Sequence, residues 1–238
     1  KSFHGLTLEQ LERLTVHFCD EIPLGRMLPV EIHELTRVMS VWVKRTKVLG
    51  KMSGIMAERL LQRVEFEECA GNEKAKPSAI MYSMAISAWT ECRGIAEEGF
   101  CSSKKAARLL GKMEKLYSSG DESMKPKMST YVAVMKSWLS CKKKNSAQHA
   151  ANILQQKILV DPLLVDEDPD SVEERPPSAI SKIIPIDVYT FNKVLNGLAH
   201  SGEAGCGKQA EQILQLGEKL YNDVDIGRNK HFKTNILS

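Results

Sequence analysis

The segment Gly202–Gln209 (GEAGCGKQ) is the part of the chain that comes nearest to a known chemical motif. It satisfies the pattern G-x-x-x-x-G-K, in which glycine-rich backbone amides and a lysine cradle nucleotide phosphates. That motif also needs a serine or threonine after the lysine to hold magnesium, but Gln209 occupies that place. The segment follows a helical pattern, whereas a phosphate-binding loop follows a strand, so we predict a glycine-rich turn between two helices.

The histidines and cysteines lack the spacing of a catalytic or metal site. The six histidines do not cluster with acids or cysteines, and there are no paired carboxylates, nucleophile elbow or zinc-deaminase signature. The six cysteines form no C-x-x-C pair, which disfavours structural zinc, and stacked helices need no disulfide framework. We predict no enzymatic activity, cofactor, bound metal or small-molecule substrate, and free thiols in a reducing compartment. These residues are His4, His17, His33, His149, His200 and His231, and Cys19, Cys69, Cys92, Cys101, Cys141 and Cys206.

Basic residues in one turn could attract a nucleic acid. Lys142, Lys143 and Lys144 follow one another, and such a run either binds phosphates or is simply a solvated turn. The sequence leaves both interpretations open.

The elements that would position such residues come from a repeat. Lys76–Trp89 (KPSAIMYSMAISAW) and Lys125–Trp138 (KPKMSTYVAVMKSW) match along their length, and Ile184–Leu198 (IPIDVYTFNKVLNGL) is a looser third copy. In each copy an aromatic residue begins an apolar stripe of the kind that predicts an amphipathic helix, and a fourth stripe lies upstream. We name these predicted helices A. Their stripes are Leu35, Val38, Met39, Trp42 and Val43; Tyr82, Ala85, Ile86 and Trp89; Tyr131, Val134, Met135, Trp138 and Leu139; and Phe191, Val194, Leu195, Leu198 and Ala199.

A second apolar stripe, opened by an alanine, follows each helix A after a polar turn. The small alanine allows two helix backbones to approach closely, and larger residues one turn later fill the space between them. A helix pair of this kind buries its apolar face only by stacking on its neighbours, so we predict an all-α fold, an α-solenoid of stacked antiparallel helix pairs. We name these second helices B. Their stripes are Ala57, Leu60, Leu61 and Val64; Ala106, Leu109, Leu110 and Met113; Ala150, Ile153 and Leu154; and Ala210, Ile213 and Leu214.

Three of the helix A stripes contain a tryptophan: Trp42, Trp89 and Trp138. An exposed tryptophan can stack on bases. Because these three share a stripe with aliphatic residues, we predict instead that they belong to the core.

The repeat predicts the organisation of the chain. Pro77, Pro126 and Pro185 stand five or six residues before the aromatic residue of their copies, where a proline can open a helix, and they mark repeat starts. Thr7 and Gln10 have the spacing of a capping box for an N-terminal helix. The predicted order is an N-terminal helix or cap (1–27), repeat 1 (28–75), repeat 2 (76–124), repeat 3 (125–160), a flexible acidic insertion (161–183), repeat 4 (184–224) and the start of a further repeat (225–238).

Charge is distributed unevenly along the chain. Between Asp161 and Pro177, seven acidic residues face one arginine, and four prolines accompany them, which predicts a solvated insertion. The net charge of the whole chain is +3, so the remainder carries +9. No run of 18 apolar residues occurs, and we predict no membrane insertion.

The order of proline, short spacer, Tyr or Phe, amphipathic helix and Ala-x-x-[Ile/Leu]-Leu helix resembles the pentatricopeptide repeat over most of 28–238. The tetratricopeptide family is less similar, because its W-x-x-L-G-x-x-Y opening is absent and Trp89 and Trp138 come late in helix A. The long turns are similar to those of divergent pentatricopeptide proteins of algae and other protists. The resemblance implies binding of single-stranded RNA in a mitochondrion or plastid, with one base per repeat.

The resemblance also implies which side chains would read the bases. In the family, the residue after the helix A aromatic acts together with the residue just before the next repeat. The implied pairs are Thr36 with Ser78, Ser83 with Lys127, Val132 with Asp187, and Asn192 with Arg228. None of them is a familiar base-reading pair. The basic residue that often ends helix A in the family is present as Lys44, whereas Glu91, Ser140 and His200 stand at the other three places.

Two functions follow as hypotheses. The first is an RNA-binding protein that acts on the stability, processing or translation of organellar transcripts, which agrees with the resemblance and with the charge of +9 outside the insertion. The second is a protein-binding scaffold or a structural subunit of an organellar ribosome or another large complex, which agrees with the unmatched base-reading pairs and the missing basic residues. We favour the first.

Overall fold

Every element in the described part of the chain is helical. The computed structural model describes residues 5–92, 101–141, 143, 145–158 and 188–223, and these contain no β-strand. The predicted all-α class is confirmed. The chain divides into two compact units, Lys1–Pro126 and Lys127–Ser238. The predicted acidic insertion, 161–183, and the predicted start of a further repeat, 225–238, lie outside the described residues.

The first unit contains two of the predicted helices A and two of the predicted helices B. The A helices are α2 and α5, the B helices are α4 and α6, and α2 and α5 each pack against α4. The bounds are α1 (Leu8–Val16) with a π-helical continuation (His17–Glu21), α2 (Pro29–Lys44), α3 (Thr46–Leu49), α4 (Lys51–Cys69), α5 (Ala79–Thr90) and α6 (Ser102–Ser118), followed by a 3-10 turn (Glu122–Met124).

Local sequence explains where several of these helices begin. The predicted capping box is confirmed, since the Gln10 amide donates to Thr7 Oγ1 at 3.2 Å and the Thr7 amide donates to Gln10 Oε1 at 2.9 Å. Pro29 is the first residue of α2, where its missing N–H would have no partner within the helix. Pro77 lies just before Ser78, the N-cap of α5, so this proline precedes the helix without being part of it.

The predicted helix A stripes form the core of the first unit. Leu35 and Trp42 of α2 are fully buried, and Trp89 of α5 is 1% exposed, which confirms these tryptophans as core residues. The Trp42 Nε1–H donates to Thr15 Oγ1 on α1 at 2.9 Å. Gly54 of α4 makes room for the second tryptophan, because a Cβ there would lie 2.5 Å from the Trp89 ring.

A buried carboxylate fixes the connection between α1 and α2. Glu67 of α4 is fully buried and accepts the backbone amides of Gly25 at 3.0 Å and Met27 at 3.2 Å. It also accepts the amide of Asn72 at 2.8 Å and pairs with Arg63, one turn earlier in α4. The buried carboxylate is compensated by these donors, and the donors in turn gain an acceptor that they would otherwise lack. The cluster therefore holds the loop, which has no regular structure, against α4.

The second unit contains the other two predicted pairs. Its helices are α7 (Met128–Ser140), α8 (Ser146–Ile153) with a π-helical continuation (Leu154–Ile158), α9 (Val188–Ala199) and α10 (Cys206–Asp223). The A helices are α7 and α9, the B helices are α8 and α10, and α8 packs against both α7 and α9. Trp138 of α7 is 4% exposed and stacks on the ring of His149 of α8, with ring centroids 4.4 Å apart.

The predicted stripes differ in detail from the observed core of the second unit. In the third helix B, Ala150, Ala151 and Leu154 are buried, whereas Ile153 is half-buried. Ile153 is the last residue of α8, and the chain continues in π-helical geometry from Leu154. Leu139 of α7 and Leu195 of α9 are also half-buried. Ala199, at the end of α9, is exposed.

The predicted turn between helices is confirmed over Gly202–Gly205, whereas Cys206–Gln209 form the first turn of α10. It follows the helix α9 and leads directly into α10 at Cys206. Gly202 and Gly205 have positive φ angles of 64° and 87°, which glycine adopts without strain. The glycines of this segment therefore shape a turn between helices. A separate prediction concerned the cysteines, and all six of them are free thiols.

Candidate nucleic-acid interface

Each helix A carries a row of side chains that faces away from the core. The row begins two residues before the first residue of the apolar stripe and continues at i+4, i+7 and i+11, so it lies on one face of the helix. Every member is exposed or half-buried. We name these four sets the outer rows: His33, Arg37, Ser40 and Lys44 on α2; Ile80, Met84, Ser87 and Glu91 on α5; Ser129, Ala133, Lys136 and Ser140 on α7; and Tyr189, Lys193, Asn196 and His200 on α9.

The outer row of α9 has the side chains that a nucleic acid would need. Tyr189 is 75% exposed, and the Lys193 ammonium lies 5.9 Å from the centre of its ring. His200 Nδ1–H donates to the backbone carbonyl of Asn196 at 2.8 Å. The row therefore combines an aromatic face for stacking, a cation for phosphate and an amide for hydrogen bonding.

A pocket beside this row joins it to the turn after α7. The pocket has a volume of about 500 Å³. Lys143, from the predicted lysine run, and Lys193, from the outer row of α9, both line it, although they are 50 residues apart in sequence. The remaining polar lining comes from Asn145, Ser146, Asn196, Ser201 and Glu203.

Glu203 gives this pocket an internal anion. Its carboxylate accepts the backbone amide of Asn145 at 2.7 Å, just before the first turn of α8. Asn145 has a positive φ of 64°, a conformation that asparagine adopts more readily than most residues. Because this carboxylate accepts an N–H at the start of α8, the lysines and not the helix terminus are the groups suited to hold a phosphate.

The other outer rows differ in chemistry. On α2 the row is basic and ends with the exposed Lys44. On α5 it is apolar at the start, with Ile80 67% exposed, and it ends with Glu91. On α7 it consists of two serines and an alanine apart from Lys136.

The residues predicted to read bases lie next to these rows. Thr36, Ser83, Val132 and Asn192 are each half-buried on a helix A. Ser78 and Lys127 are exposed N-cap residues of α5 and α7. The Ser78 hydroxyl accepts the Met81 amide at 3.4 Å and the Thr36 hydroxyl donates to the Ile32 carbonyl at 2.8 Å, so both serve their own helix.

Several predicted site residues lie outside the described part of the chain. These are Lys142, Lys144, Asp187 and Arg228. Lys143, between the first two of them, is exposed.

Two carboxylates of α4 position α5 and its outer row. Glu58 accepts the Trp89 Nε1–H at 2.8 Å and pairs with Arg108 of α6. Glu65 accepts the Tyr82 hydroxyl at 2.6 Å, and burial together with this bond raises the pKa of Tyr82 above its usual range. Lys112 of α6 completes the set, since its Nζ lies 2.9 Å from a Glu65 oxygen.

Sequence reasoning missed these groups, although one signal was present. Glu65 precedes Tyr82 by 17 residues, and Glu114 precedes Tyr131 by the same number. An acid at a constant distance before the helix A aromatic is thus part of the repeat. Tyr189 and Lys193 were also missed, because their exposure is visible only once the core stripe of α9 has been identified.

Comparisons with known proteins found no match to this chain among protein-family models, curated proteins or solved structures. In the part of the chain that the structure describes, no helix is long and apolar enough to cross a membrane. Within the same residues, no group of three or more His, Cys, Asp or Glu side chains is placed to hold a metal ion.

Proposed function

We propose that this chain is a helical-repeat protein of the pentatricopeptide type that binds single-stranded RNA. The observation that carries the proposal is the outer row of α9 with the adjoining pocket. Tyr189 offers an exposed ring, and the Lys193 ammonium lies 5.9 Å from its centre. Lys143 lines the adjoining pocket together with Lys193. Exposed aromatic and basic side chains on one surface are the combination that binds unpaired bases and their backbone.

The proposal includes the stacking of the helix pairs and the cellular compartment that the resemblance implies. The helix pairs stack as an α-solenoid, and the protein acts in a mitochondrion or plastid on the stability, processing or translation of transcripts. The four helix A stripes and the recurring acid before the aromatic support the repeat. Small-angle scattering tests the stacking, because a solenoid gives an elongated particle, whereas a compact domain of this length has a radius of gyration of about 18 Å.

RNA binding is tested by fluorescence anisotropy with a single-stranded oligonucleotide of mixed sequence over a range of salt. Tyr189→Ala removes the stacking ring and should weaken binding by about 1–3 kcal/mol. Lys193→Gln should lower the salt slope by about 0.7. The matched controls are Tyr117→Ala, a partly exposed tyrosine of α6, and Lys208→Gln, an exposed lysine of α10. Equal effects of the controls would assign the binding to general charge or to altered stability.

A second function is favoured by one observation, the apolar outer row of α5. Ile80 is 67% exposed, and Met84 follows one turn later. Such side chains suit a protein partner better than a phosphate backbone. A chain that binds no RNA at low salt would support the scaffold or ribosomal-subunit function.

A further inference from the structure

The pocket of the second unit has an apolar floor where two helices approach closely. A Cβ on Gly197 of α9 would lie 3.2 Å from the Ala147 Cβ of α8 and 3.9 Å from a methyl group of Leu139. All three residues are half-buried and line the pocket. Because an alanine and a glycine form much of this floor, it leaves room for a flat ring to lie against it.

The charged groups of the pocket differ in exposure. Lys143 and Lys193 are exposed, whereas Glu203 is half-buried. A phosphate is attracted by the two ammonium groups and repelled by the carboxylate. A nucleobase has no net charge, so the carboxylate does not repel it as a whole. The pocket therefore suits the base of a nucleotide whose phosphates are held at the lysines.

The spacing along α9 joins this pocket to the exposed tyrosine. Tyr189, Lys193 and Gly197 follow one another at intervals of four residues, which corresponds to about 6 Å along the helix at each step. The Lys193 ammonium lies 5.9 Å from the centre of the Tyr189 ring, and the same lysine lines the pocket. A strand with one base stacked on Tyr189 thus brings its adjoining phosphate to Lys193 and the neighbouring base to the pocket.

Glu203 is held in place by bonds to one residue. Its Oε1 accepts the backbone amide of Asn145 at 2.7 Å. When the Asn145 side-chain amide is oriented so that both groups are satisfied, its nitrogen also donates to the two carboxylate oxygens, at 2.6 Å and 3.0 Å. An ionised carboxylate has about four acceptor positions. A ligand therefore meets a fixed anion that accepts about one further N–H and repels acceptor atoms beside it.

This requirement distinguishes guanine from the other bases. The Watson–Crick edge of guanine carries two neighbouring donors, the ring N1–H and the 2-amino group. In adenine, cytosine and uracil each N–H donor on that edge is flanked by an acceptor nitrogen or oxygen, which the carboxylate would repel. Unpaired bases in RNA are recognised at these edges by hydrogen bonds.

We propose that the pocket of the second unit binds an unpaired guanine, the neighbour of the base that stacks on Tyr189. The inference rests on the proposed function and deepens it, because it assigns a base preference to one site. Glu203 accepts an N–H from the guanine edge, the floor contacts the face of the ring, and Lys143 and Lys193 hold the flanking phosphates. None of the base-reading residues that the resemblance implies lines this pocket.

The test compares heptamers of uridine that carry G, A, C or U at the central position. Competition measured by fluorescence anisotropy at fixed salt gives their relative affinities for the whole chain. The guanine heptamer should bind about tenfold more tightly than the other three, which is the usual effect of a hydrogen bond to a charged group. Since all four probes have the same phosphates, this ratio does not depend on the net charge of the protein.

Two matched variants locate the preference. Glu203→Gln retains an oxygen for the Asn145 amide but loses the charge, and it should remove most of the preference for guanine. Glu211→Gln, at an exposed position of α10, removes the same charge and should keep the tenfold ratio. Circular dichroism of both variants verifies that they are folded.

Photocrosslinking of the unaltered chain locates the base without a substitution. A heptamer with 6-thioguanosine at its centre should become linked to peptides from 139–147 or 193–203. Labelling confined to other peptides would overturn the assignment of guanine to this pocket.

The affinities separate this inference from the proposed function. Equal affinities for the four heptamers, together with weaker binding on Tyr189→Ala, would overturn the inference and leave the proposed function in place. A guanine preference that persists in Glu203→Gln as fully as in Glu211→Gln would overturn the role of the carboxylate, and with it the inference. Absence of binding to all four heptamers at low salt would overturn both proposals.

Discussion

The polar contacts between B helices differ in kind between the two units. In the first unit the ties are charged: Glu58 and Glu65 of α4 reach Arg108 and Lys112 of α6, and the same carboxylates hold the indole and hydroxyl of α5. In the second unit the described ties between α8 and α10 are amide to amide. Gln209 donates to Asn152 at 2.6 Å, and Gln155 donates to Gln212 at 3.4 Å.

The apolar contacts of the two units are more alike than the polar ones. In each unit a glycine of a helix B receives an aromatic ring from a helix A: Gly54 faces Trp89, and Gly217 faces Phe191. The two contacts lie at different places in the repeat. Trp89 ends its stripe and belongs to the pair that follows α4, whereas Phe191 opens its stripe and belongs to the same pair as α10. What the units share is an aromatic ring packed against a glycine of a helix B.

The largest expected loss of stability comes from removing the buried carboxylate of Glu67 in the first unit. Glu67→Ala should lower the free energy of unfolding by about 3–5 kcal/mol, because Arg63 is left buried without its carboxylate and two loop amides lose their acceptor. Denaturant unfolding followed by circular dichroism measures the change. Glu68→Ala, at the exposed neighbouring position, is the matched control and should stay within about 0.5 kcal/mol. Equal losses in the two variants would show that the cluster does not hold the loop.

Replacing glycines with alanine compares how closely the helices pack in the two units. Gly54→Ala should cost about 1–3 kcal/mol, since its Cβ would lie 2.5 Å from the Trp89 ring and force the helices apart. Gly217→Ala should cost less, because its nearest neighbour is the tip of the Phe191 ring at 3.0 Å. Gly111→Ala has open space and should stabilise α6 by about 0.5–1 kcal/mol. The order of the three in thermal unfolding is the measurement, and a neutral Gly54→Ala would contradict the close approach.

The difference between the polar ties has a direct test. Glu58→Gln should cost about 1–2 kcal/mol, because the Trp89 N–H and Arg108 lose a charged acceptor while half of the arginine side chain still reaches water. Asn152→Ala, which removes an exposed amide tie, should cost less than about 0.5 kcal/mol. Hydrogen exchange of peptides from each unit locates the two losses. A larger loss of stability from Asn152→Ala than from Glu58→Gln would contradict the view that the charged contacts of the first unit are the stronger ones.

The smallest expected effect is a loss of stability of the first unit at alkaline pH. Burial raises the pKa of Cys19 from 9.0 to about 11, and the pKa values of Cys92 and Tyr82 are also raised. Below pH 9 both the folded and unfolded states keep the Cys19 proton, so this group has no effect. Between pH 9 and 11 the unfolded state releases it while the folded state does not, so stability falls. We expect the melting temperature to drop by a few degrees over this range.

Cys19→Ser provides the control for the alkaline effect. The serine does not titrate in this range, so the variant should lose less stability between pH 9 and 11 than the parent chain. Hydrogen exchange should place the parent's loss in 5–92 and 101–126. A pH dependence that is the same in both proteins would assign it to groups other than this thiol.

The sequence predicted the helices of both units and most of their core. Tyr131, Val134 and Trp138 recur at helical spacing, and burial follows from that spacing, since one face of each helix is apolar. Ile153, Leu139 and Leu195 are only half-buried, because helical spacing gives the direction of a face and not how far the neighbouring helices cover it.

The candidate site was only partly predictable. Lys143 was identified from its neighbours in sequence, but Lys193, which lines the same pocket, was not. Their proximity depends on how α8 and α9 pack, and no local pattern reports that. Tyr189 was not predicted for a different reason. An aromatic residue next to an apolar stripe is expected in the core, and only the observed rotation of the helix shows that this one faces solvent.

The sequence by itself determined that this chain forms paired amphipathic helices and which faces they bury, because a period of 3.6 residues is a local property. Only the tertiary structure decided which polar side chains meet. Glu58 and Arg108 are 50 residues apart, and Glu67 and Gly25 are 42 apart. Such pairs depend on the rotation and register of whole helices, which are set by the packing of many apolar side chains together.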